Sequence, residues 1–134
     1  MDSKDDLEAK WDVQLRKGSL ELGVLAALKG RRLFGLELLG LLRGFETMAI
    51  TEGTLYPLMD RLKRDGVVEA SWEQQGDAKP RKYYRLTTQG ELKLANFTQR
   101  WRQSVADIEH LLRHPGPGPL MPKGKPNERT RSDQ

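Results

Sequence analysis

The chain has 134 residues, which suits one ordinary domain with tails, and its formal net charge of +4 permits a polyanionic partner without requiring one. It contains no cysteine, which excludes disulfides, thiolate nucleophiles and zinc sites of the cysteine type. The first six residues lack the features of a signal peptide, and no apolar run could span a bilayer, so we expect a cytoplasmic protein that does not bind membranes.

The first half of the sequence carries three predicted helices. Apolar residues at every fourth position predict a short helix over residues 5–16, with a stripe of Leu7, Trp11 and Leu15. We expect Gly18 to break this helix and Ser19 to cap a second one over residues 20–29, which is apolar on most faces. A short, leucine-rich helix is predicted over residues 34–43. The helix over residues 20–29 would therefore be buried as the first helix of the core, with the helix over residues 34–43 as the second.

The next predicted helix is the most clearly amphipathic. We expect the hydroxyl of Thr51 to cap it and Gly66 to end it after Asp65. Its apolar face consists of Leu55, Leu58, Met59 and Leu62. Its other side consists of Gly53, Tyr56, Pro57, Asp60 and Arg64. This side is not apolar, so we expect it to be exposed.

The remaining elements are a hairpin and a long helix. Residues 67–74 and 81–86 have strand composition and flank a turn at residues 76–80, which predicts a β-hairpin. Thr87 is expected to cap a final helix that reaches about Arg113. Its apolar stripe, spaced by three and four, is Leu94, Phe97, Trp101, Val105, Ile108 and Leu112. A small domain cannot cover this stripe, so we expect a partner helix from a second copy.

Three helices, a hairpin and a further helix, in this order, are typical of a winged helix-turn-helix whose third helix reads DNA. We predict a mainly α fold with a small β-hairpin, in which a winged helix-turn-helix domain is followed by a long C-terminal dimerisation helix. The predicted boundaries are 1–16 for an N-terminal helical extension, 17–87 for the winged domain, 88–114 for the dimerisation helix and 115–134 for a disordered tail.

The residues of the reading helix and the wing suit duplex DNA. Gly53 would let the backbone approach a groove or a phosphate closely, and the amides that follow Thr51 would attract an anion. Long cationic side chains on the helix and in the hairpin would meet phosphates. The candidate DNA-binding residues are Thr51, Gly53, Thr54, Tyr56, Arg61, Lys63, Arg64, Lys79, Arg81, Lys82 and Arg85.

Several segments together resemble the PadR family of transcriptional regulators. They are Thr51-Glu52-Gly53-Thr54-Leu55-Tyr56-Pro57-Leu58, Arg61-Leu62, Asp65-Gly66-Val67-Val68 and Pro80-Arg81-Lys82-Tyr83-Tyr84-Arg85-Leu86-Thr87. The resemblance implies a homodimer, joined through its last helix, that binds a near-palindromic operator, usually as a repressor. The single last helix resembles the short subfamily. The chain departs from the family at Phe34-Gly35-Leu36, where His-Gly-Tyr is common, so we place no site residue on the second helix.

Some aromatic residues allow two interpretations. Tyr56 would contact DNA or fill a gap beside the first helix, and its position off the apolar face favours DNA. One of Tyr83 and Tyr84 should pack into the core, but the alternation does not say which. We expect Trp72 to pack within the hairpin. Trp101 would serve dimer packing or, by resemblance to some PadR-like proteins, hold a small, flat aromatic effector.

Other functional classes find less support in the sequence. We recognise no nucleophile with a base, no phosphate-binding glycine loop and no metal or cofactor site, so we do not expect an enzyme. The alternative is a dimeric adaptor that keeps the winged fold but binds protein through the leucine-rich second helix.

Overall fold

The computed structural model describes residues 4–118, except for the side chains of residues 4, 5, 11, 12 and 14–17. The elements are α1 (Lys4–Ala27), β1 (Leu33–Phe34), α2 (Gly35–Arg43), a short 3-10 helix (Glu46–Met48), α3 (Glu52–Arg64), β2 (Val68–Glu73), β3 (Arg81–Leu86) and α4 (Thr88–Arg113). This mainly helical fold with a small antiparallel sheet and a long last helix confirms the predicted fold class. Among the described residues, no helix is long and apolar enough to cross a membrane.

The first helix differs from the prediction. α1 is one continuous helix, so the predicted break at Gly18 and the predicted cap at Ser19 are wrong. Gly18 is exposed with open space around it, and a glycine inside a helix costs only about 1 kcal/mol, which the flanking turns overcome. Of the predicted stripe, Leu7 is 50% exposed, whereas the side chains of Trp11 and Leu15 lie outside the described residues.

The core is built mainly by three helices. Leu25 lies in the last turn of α1 and Leu28 lies in the turn that follows the helix, and both side chains are fully buried. Three of the leucines of α2 also point inward, which accounts for much of the unusual composition of this helix. Together with the apolar face of α3 they form one cluster, whose helical members include Leu38, Leu39, Leu42, Leu55, Met59 and Leu62. The reading helix is therefore held along one side only.

The sheet has the strand order β1-β3-β2, and all its pairs are antiparallel. β2 and β3 form the predicted hairpin, with pairs that run from Val68 and Leu86 to Glu73 and Arg81. β1 adds a third, two-residue strand that the sequence analysis did not predict. It brings the start of α2 next to the hairpin.

The start of α4 is fixed to the junction of α3 and β2. The hydroxyl of Thr87 accepts a hydrogen bond from the Gly90 amide at 2.9 Å and donates one to the Gly66 carbonyl at 2.7 Å, so the predicted cap is confirmed. The Val67 carbonyl accepts from the Thr87 amide at 3.1 Å. Gly90 is buried against this carbonyl, and a Cβ at Gly90 would overlap it. Glycine is therefore required for this close approach.

By contact density the chain separates into two compact units, Met1–Thr98 and Gln99–Gln134. The first contains the three-helix core and the sheet, and the second contains the later part of α4. The predicted domain boundaries stay predictions, although α1 runs through the one proposed at residues 16 and 17. Of the predicted disordered tail, residues 119–134 lie outside the described residues.

Candidate nucleic-acid interface

The outward face of α3 is exposed and carries few bulky side chains. Gly53, Pro57, Asp60 and Arg64 are exposed, whereas Leu55 and Met59 on the opposite face are fully buried. Thr51 occupies the position before the first turn but makes no capping hydrogen bond, so the predicted hydroxyl cap is wrong. Its hydroxyl lies instead 3.5 Å from that of Thr54. The amides of Glu52 and Gly53 therefore lack the Thr51 side chain as an acceptor, whereas the Thr54 amide donates to the Thr51 carbonyl at 3.1 Å.

Tyr56 lies at the edge of this face and packs on α2. It is half-buried, and a Cβ at Gly35 would overlap its hydroxyl and lie 2.8 Å from its Cε1. The gap that it fills is therefore at the start of α2, not beside the first helix. Gly35 is needed for this contact because any larger residue would displace the ring. Contact of Tyr56 with DNA stays a prediction.

Arg61 is directed toward the flank of α3 that faces α1. Its guanidinium donates to the carboxylate of Glu21 at 2.8 Å and lies 3.5 Å from Asp65. Lys63 and Arg64, by contrast, are exposed, and the described residues offer neither of them an ion pair. These two cations are therefore better placed than Arg61 for a phosphate, and a DNA contact of Arg61 stays a prediction.

Glu21 connects three helices through one carboxylate. Besides Arg61 of α3, it accepts from Lys93 of α4 at 2.7 Å, and its side chain is only 19% exposed. Burial by itself raises the pKa of Glu21, but the hydrogen bonds and charges of Lys93 and Arg61 outweigh it, so the pKa is lowered. The carboxylate is therefore ionised at neutral pH.

The solvent face of the sheet carries a cluster of aromatic and cationic side chains. The Arg32 guanidinium lies 4.1 Å from the Tyr83 ring centroid, and that of Arg81 lies 4.3 Å from the Phe34 ring centroid. Phe34 and Tyr83 meet edge to face at 5.5 Å. Arg32 also pairs with Glu73 at 2.8 Å. Arg32 and Phe34 were not predicted as site residues, because β1, which contains Phe34 and directly follows Arg32, has only two residues and so no periodicity.

The structure distinguishes the two adjacent tyrosines. Tyr84 is buried, at 2% exposure, whereas Tyr83 is half-buried on the solvent face. Burial raises the pKa of the Tyr84 hydroxyl, and the nearby Asp60 and Tyr56 of α3 raise it further. The face of the sheet that carries Tyr84 is therefore the one that meets α3.

The other predicted wing residues have different surroundings. Lys79 is exposed in the turn, and Lys82 extends over the Tyr84 ring, with its Nζ 5.7 Å from the centroid. Arg85 pairs with Glu69 across the strands at 2.8 Å, so a phosphate would have to share it. Trp72 is 70% exposed, so the prediction that it packs within the hairpin is wrong.

The predicted dimer stripe on α4 divides into two parts. Leu94 is buried in the core of its own chain and Phe97 is half-buried against it, so both have little surface left for a partner. The rest of the stripe is 41–67% exposed and consists of Trp101, Val105, Ile108 and Leu112. A partner helix would therefore meet mainly these four residues, and their dimer role stays a prediction.

Comparison with known proteins assigns this geometry to a family. Residues 24–96, more than half of the chain, match the transcriptional regulator PadR-like family. The chain belongs to this family. The winged helix-turn-helix is a DNA-binding fold, and the chain is thus a DNA-binding transcriptional regulator of the PadR-like family.

Solved structures agree with this assignment. A PadR family regulator from Eggerthella lenta has 33% sequence identity and a TM-score of 0.73, and the match covers 83% of this chain and 96% of that one. A PadR-like regulator from Bacillus cereus has 28% identity and a TM-score of 0.70, and the match covers 76% of this chain and 99% of that one.

A curated protein also matches part of the sequence. An uncharacterized protein of Lysinibacillus sphaericus is 37% identical over 54 residues, which are 40% of this chain and 50% of that protein. The chain thus matches about half the length of this curated relative.

Proposed function

We propose that this chain is a homodimeric transcriptional repressor, and not an enzyme, that binds a near-palindromic operator in the cytoplasm. The observation that carries the proposal is the exposed, uncapped first turn of α3 beside a basic wing. In the dimer the two copies of α3 would enter successive major grooves, about 34–36 Å apart, and the wings would hold the flanks.

The proposed contacts divide by chemistry. Thr54 and Arg64 would reach base edges from the outward face of α3, and Tyr56 would act at its border. The backbone at Thr51 and Gly53 would approach a phosphate closely. The remaining candidates would neutralise phosphates, and these are Arg61, Lys63, Lys79, Arg81, Lys82 and Arg85. Arg61 and Arg85 would contribute least, because carboxylates already hold them.

The exposed part of the α4 stripe supports the dimer. Four large apolar side chains along one face of a helix form a surface that a monomer would present to water, and a second copy of α4 would cover it. A small aromatic effector bound at the paired Trp101 residues would release the operator if it preferred the dimer geometry that does not fit DNA. Equal affinity for both geometries would shift nothing.

The leucine-rich α2 does not favour the adaptor alternative. Leu38, Leu39 and Leu42 are buried in the core, and Leu36 is the one leucine of this helix that is mainly exposed. An adaptor would therefore lack the apolar surface on α2 that its partner requires.

The experiment is a titration of a fluorescent duplex that carries the promoter of the protein's own gene, with excess nonspecific competitor, at several salt concentrations. Each phosphate contact contributes about 0.9 to the slope of log affinity against log salt, so Lys63→Ala should lower the slope by about one. Arg113→Ala removes the same charge outside the proposed interface and should leave the slope unchanged. Absence of specific binding by the wild-type chain would contradict the proposal and favour the adaptor.

A further inference from the structure

Trp72 is a large apolar side chain in an unusual position. It lies on β2 and is 70% exposed, although a tryptophan normally buries most of its surface. In the strand register it stands opposite Lys82 of β3. Directly paired residues of an antiparallel sheet point to the same face, so the two side chains leave the sheet on one side, where the Lys82 ammonium extends over the Tyr84 ring.

The face that Trp72 shares is the one directed at the reading helix. Val68 and Ala70 precede it on the same face by the alternation of a strand, and Tyr84 stands opposite Ala70. Val68 and Tyr84 are buried, and Tyr84 lies near Asp60 and Tyr56 of α3. The pair of Trp72 and Lys82 therefore continues this face beyond the core, on the side where α3 lies.

The two faces of the wing differ in how far their side chains already contact one another. On the solvent face, Arg32 pairs with Glu73 and stacks on Tyr83, and Arg81 stacks on Phe34. Within the described residues, no ring contact or ion pair joins Trp72 to another side chain. Among these residues the exposed indole thus has no such partner, and Lys82 supplies a cation on the same face, which suits a polyanion.

We propose that Trp72 is a DNA-contact residue, which packs its indole on the deoxyribose rings that line the groove beside each half-site. Lys82 meets the adjacent phosphate. This inference rests on the proposed DNA binding and adds to it an uncharged contact. Packing an indole on a sugar removes apolar surface from water and releases no counterions, so its contribution does not depend on salt. Neutralisation of a phosphate by Lys82 does depend on salt.

The different salt dependence gives a sharp test, again with the labelled promoter duplex. Trp72→Ala should weaken binding about tenfold at every salt concentration, in the range of aromatic contacts to nucleic acid, and leave the salt slope unchanged. Lys82→Ala should lower the slope by about one. Trp72→Phe should recover part of the loss. Gln74→Ala is the control. It changes an exposed residue two positions after Trp72 and should bind DNA as tightly as the wild type does.

The outcomes separate the two proposals. If Trp72→Ala binds as tightly as the wild type while Lys82→Ala still lowers the slope, the inference about Trp72 is wrong and the DNA-binding proposal stands. If the wild-type chain binds no operator specifically, the proposed function itself fails. Because the side chain is exposed, the melting temperature of Trp72→Ala should equal that of the wild type, which excludes misfolding as the cause of weaker binding.

Fluorescence gives a second, independent measurement. Acrylamide should quench the wild-type emission strongly, because the indole of Trp72 is open to solvent, and the duplex should protect this part of the emission. Trp72→Phe removes this indole, leaves the partly exposed Trp101 in place, and should lose the protection. If the duplex protects the emission of the wild type and of Trp72→Phe equally, the indole does not lie against DNA and the inference is overturned.

Discussion

Replacement of Gly90 by alanine tests whether the start of α4 is fixed to the α3–β2 junction. A Cβ at Gly90 would overlap the Val67 carbonyl oxygen and lie 2.9 Å from the carbonyl carbon and 3.3 Å from the Cα. All three atoms belong to the backbone, which cannot rotate away as a side chain does. The same carbonyl accepts the Thr87 amide, so a shift that relieved the overlap would also lengthen that hydrogen bond.

The expected loss follows from these contacts. Overpacking of a buried site costs about 1–3 kcal/mol, and weakening of one backbone hydrogen bond adds about 1 kcal/mol. The higher helix propensity of alanine returns at most about 1 kcal/mol. The net loss in the free energy of unfolding is therefore about 1–3 kcal/mol, or roughly 3–15 °C in melting temperature for a chain of this size.

The assay is thermal and urea unfolding at one fixed protein concentration, because the proposed dimerisation would make stability depend on concentration. Gly40→Ala is the matched control, since Gly40 lies inside α2, is exposed and has no atom within 4 Å of an added Cβ. It should stabilise the chain by about 1 kcal/mol. A Gly90→Ala protein as stable as Gly40→Ala would show that α4 does not approach Val67 so closely, and would refute the reasoning.

Two further predictions concern Glu21 and the α4 stripe. The lowered pKa of Glu21 stabilises the fold above its ordinary pKa of 4.5, and this contribution is lost as the pH falls through the folded-state value. Glu21→Gln should therefore lower the free energy of unfolding by about 1–2 kcal/mol at pH 7. The difference in stability between this variant and the wild type should shrink below pH 4.5. The control is Glu109→Gln, which changes an exposed glutamate and should alter the stability little. Ile108→Asp should convert the dimer to a monomer in sedimentation without loss of helicity, because Ile108 is 55% exposed in its own chain, and Gln99→Asp should remain a dimer. A wild type already monomeric at micromolar concentration would contradict the dimer.

The elements with strong periodicity were predictable. The apolar face of α3 places Leu55, Met59 and Leu62 in the core, as their spacing requires. The hairpin and the cap of α4 at Thr87 follow from strand composition and from the hydroxyl at the right position. In each case several local signals agree with the packing that the fold needs.

The wrong predictions arise where the local sequence pattern indicates one structure and the surrounding fold favours another. Gly18 has the composition of a break, but nothing around it requires one, so α1 continues. β1 was missed because two residues have no alternation and form a strand only through their pairing with β3. Trp72 has the pattern of a packed strand residue, yet it lies past the end of the core and is 70% exposed.

The ion-pair partners of the candidate DNA-binding residues could not be predicted from the sequence. The sequence identifies the cations of α3 and the wing but not their partners, because ion pairs such as that of Arg61 with Glu21 join residues 40 positions apart. The same limit applies to Arg85, whose carboxylate partner lies on the neighbouring strand. Lys63 and Arg64 have the same kind of side chain as Arg61 and Arg85, but their positions on α3 leave them exposed and, among the described residues, without an ion pair.

The shared carboxylate of Glu21 has a consequence for signalling. Arg61 donates to one oxygen of this carboxylate and Lys93 donates to the other, so one side chain of α1 holds both the reading helix α3 and the start of α4. In the proposed dimer, a ligand that displaced the start of α4 would thus act on α3 through this one carboxylate.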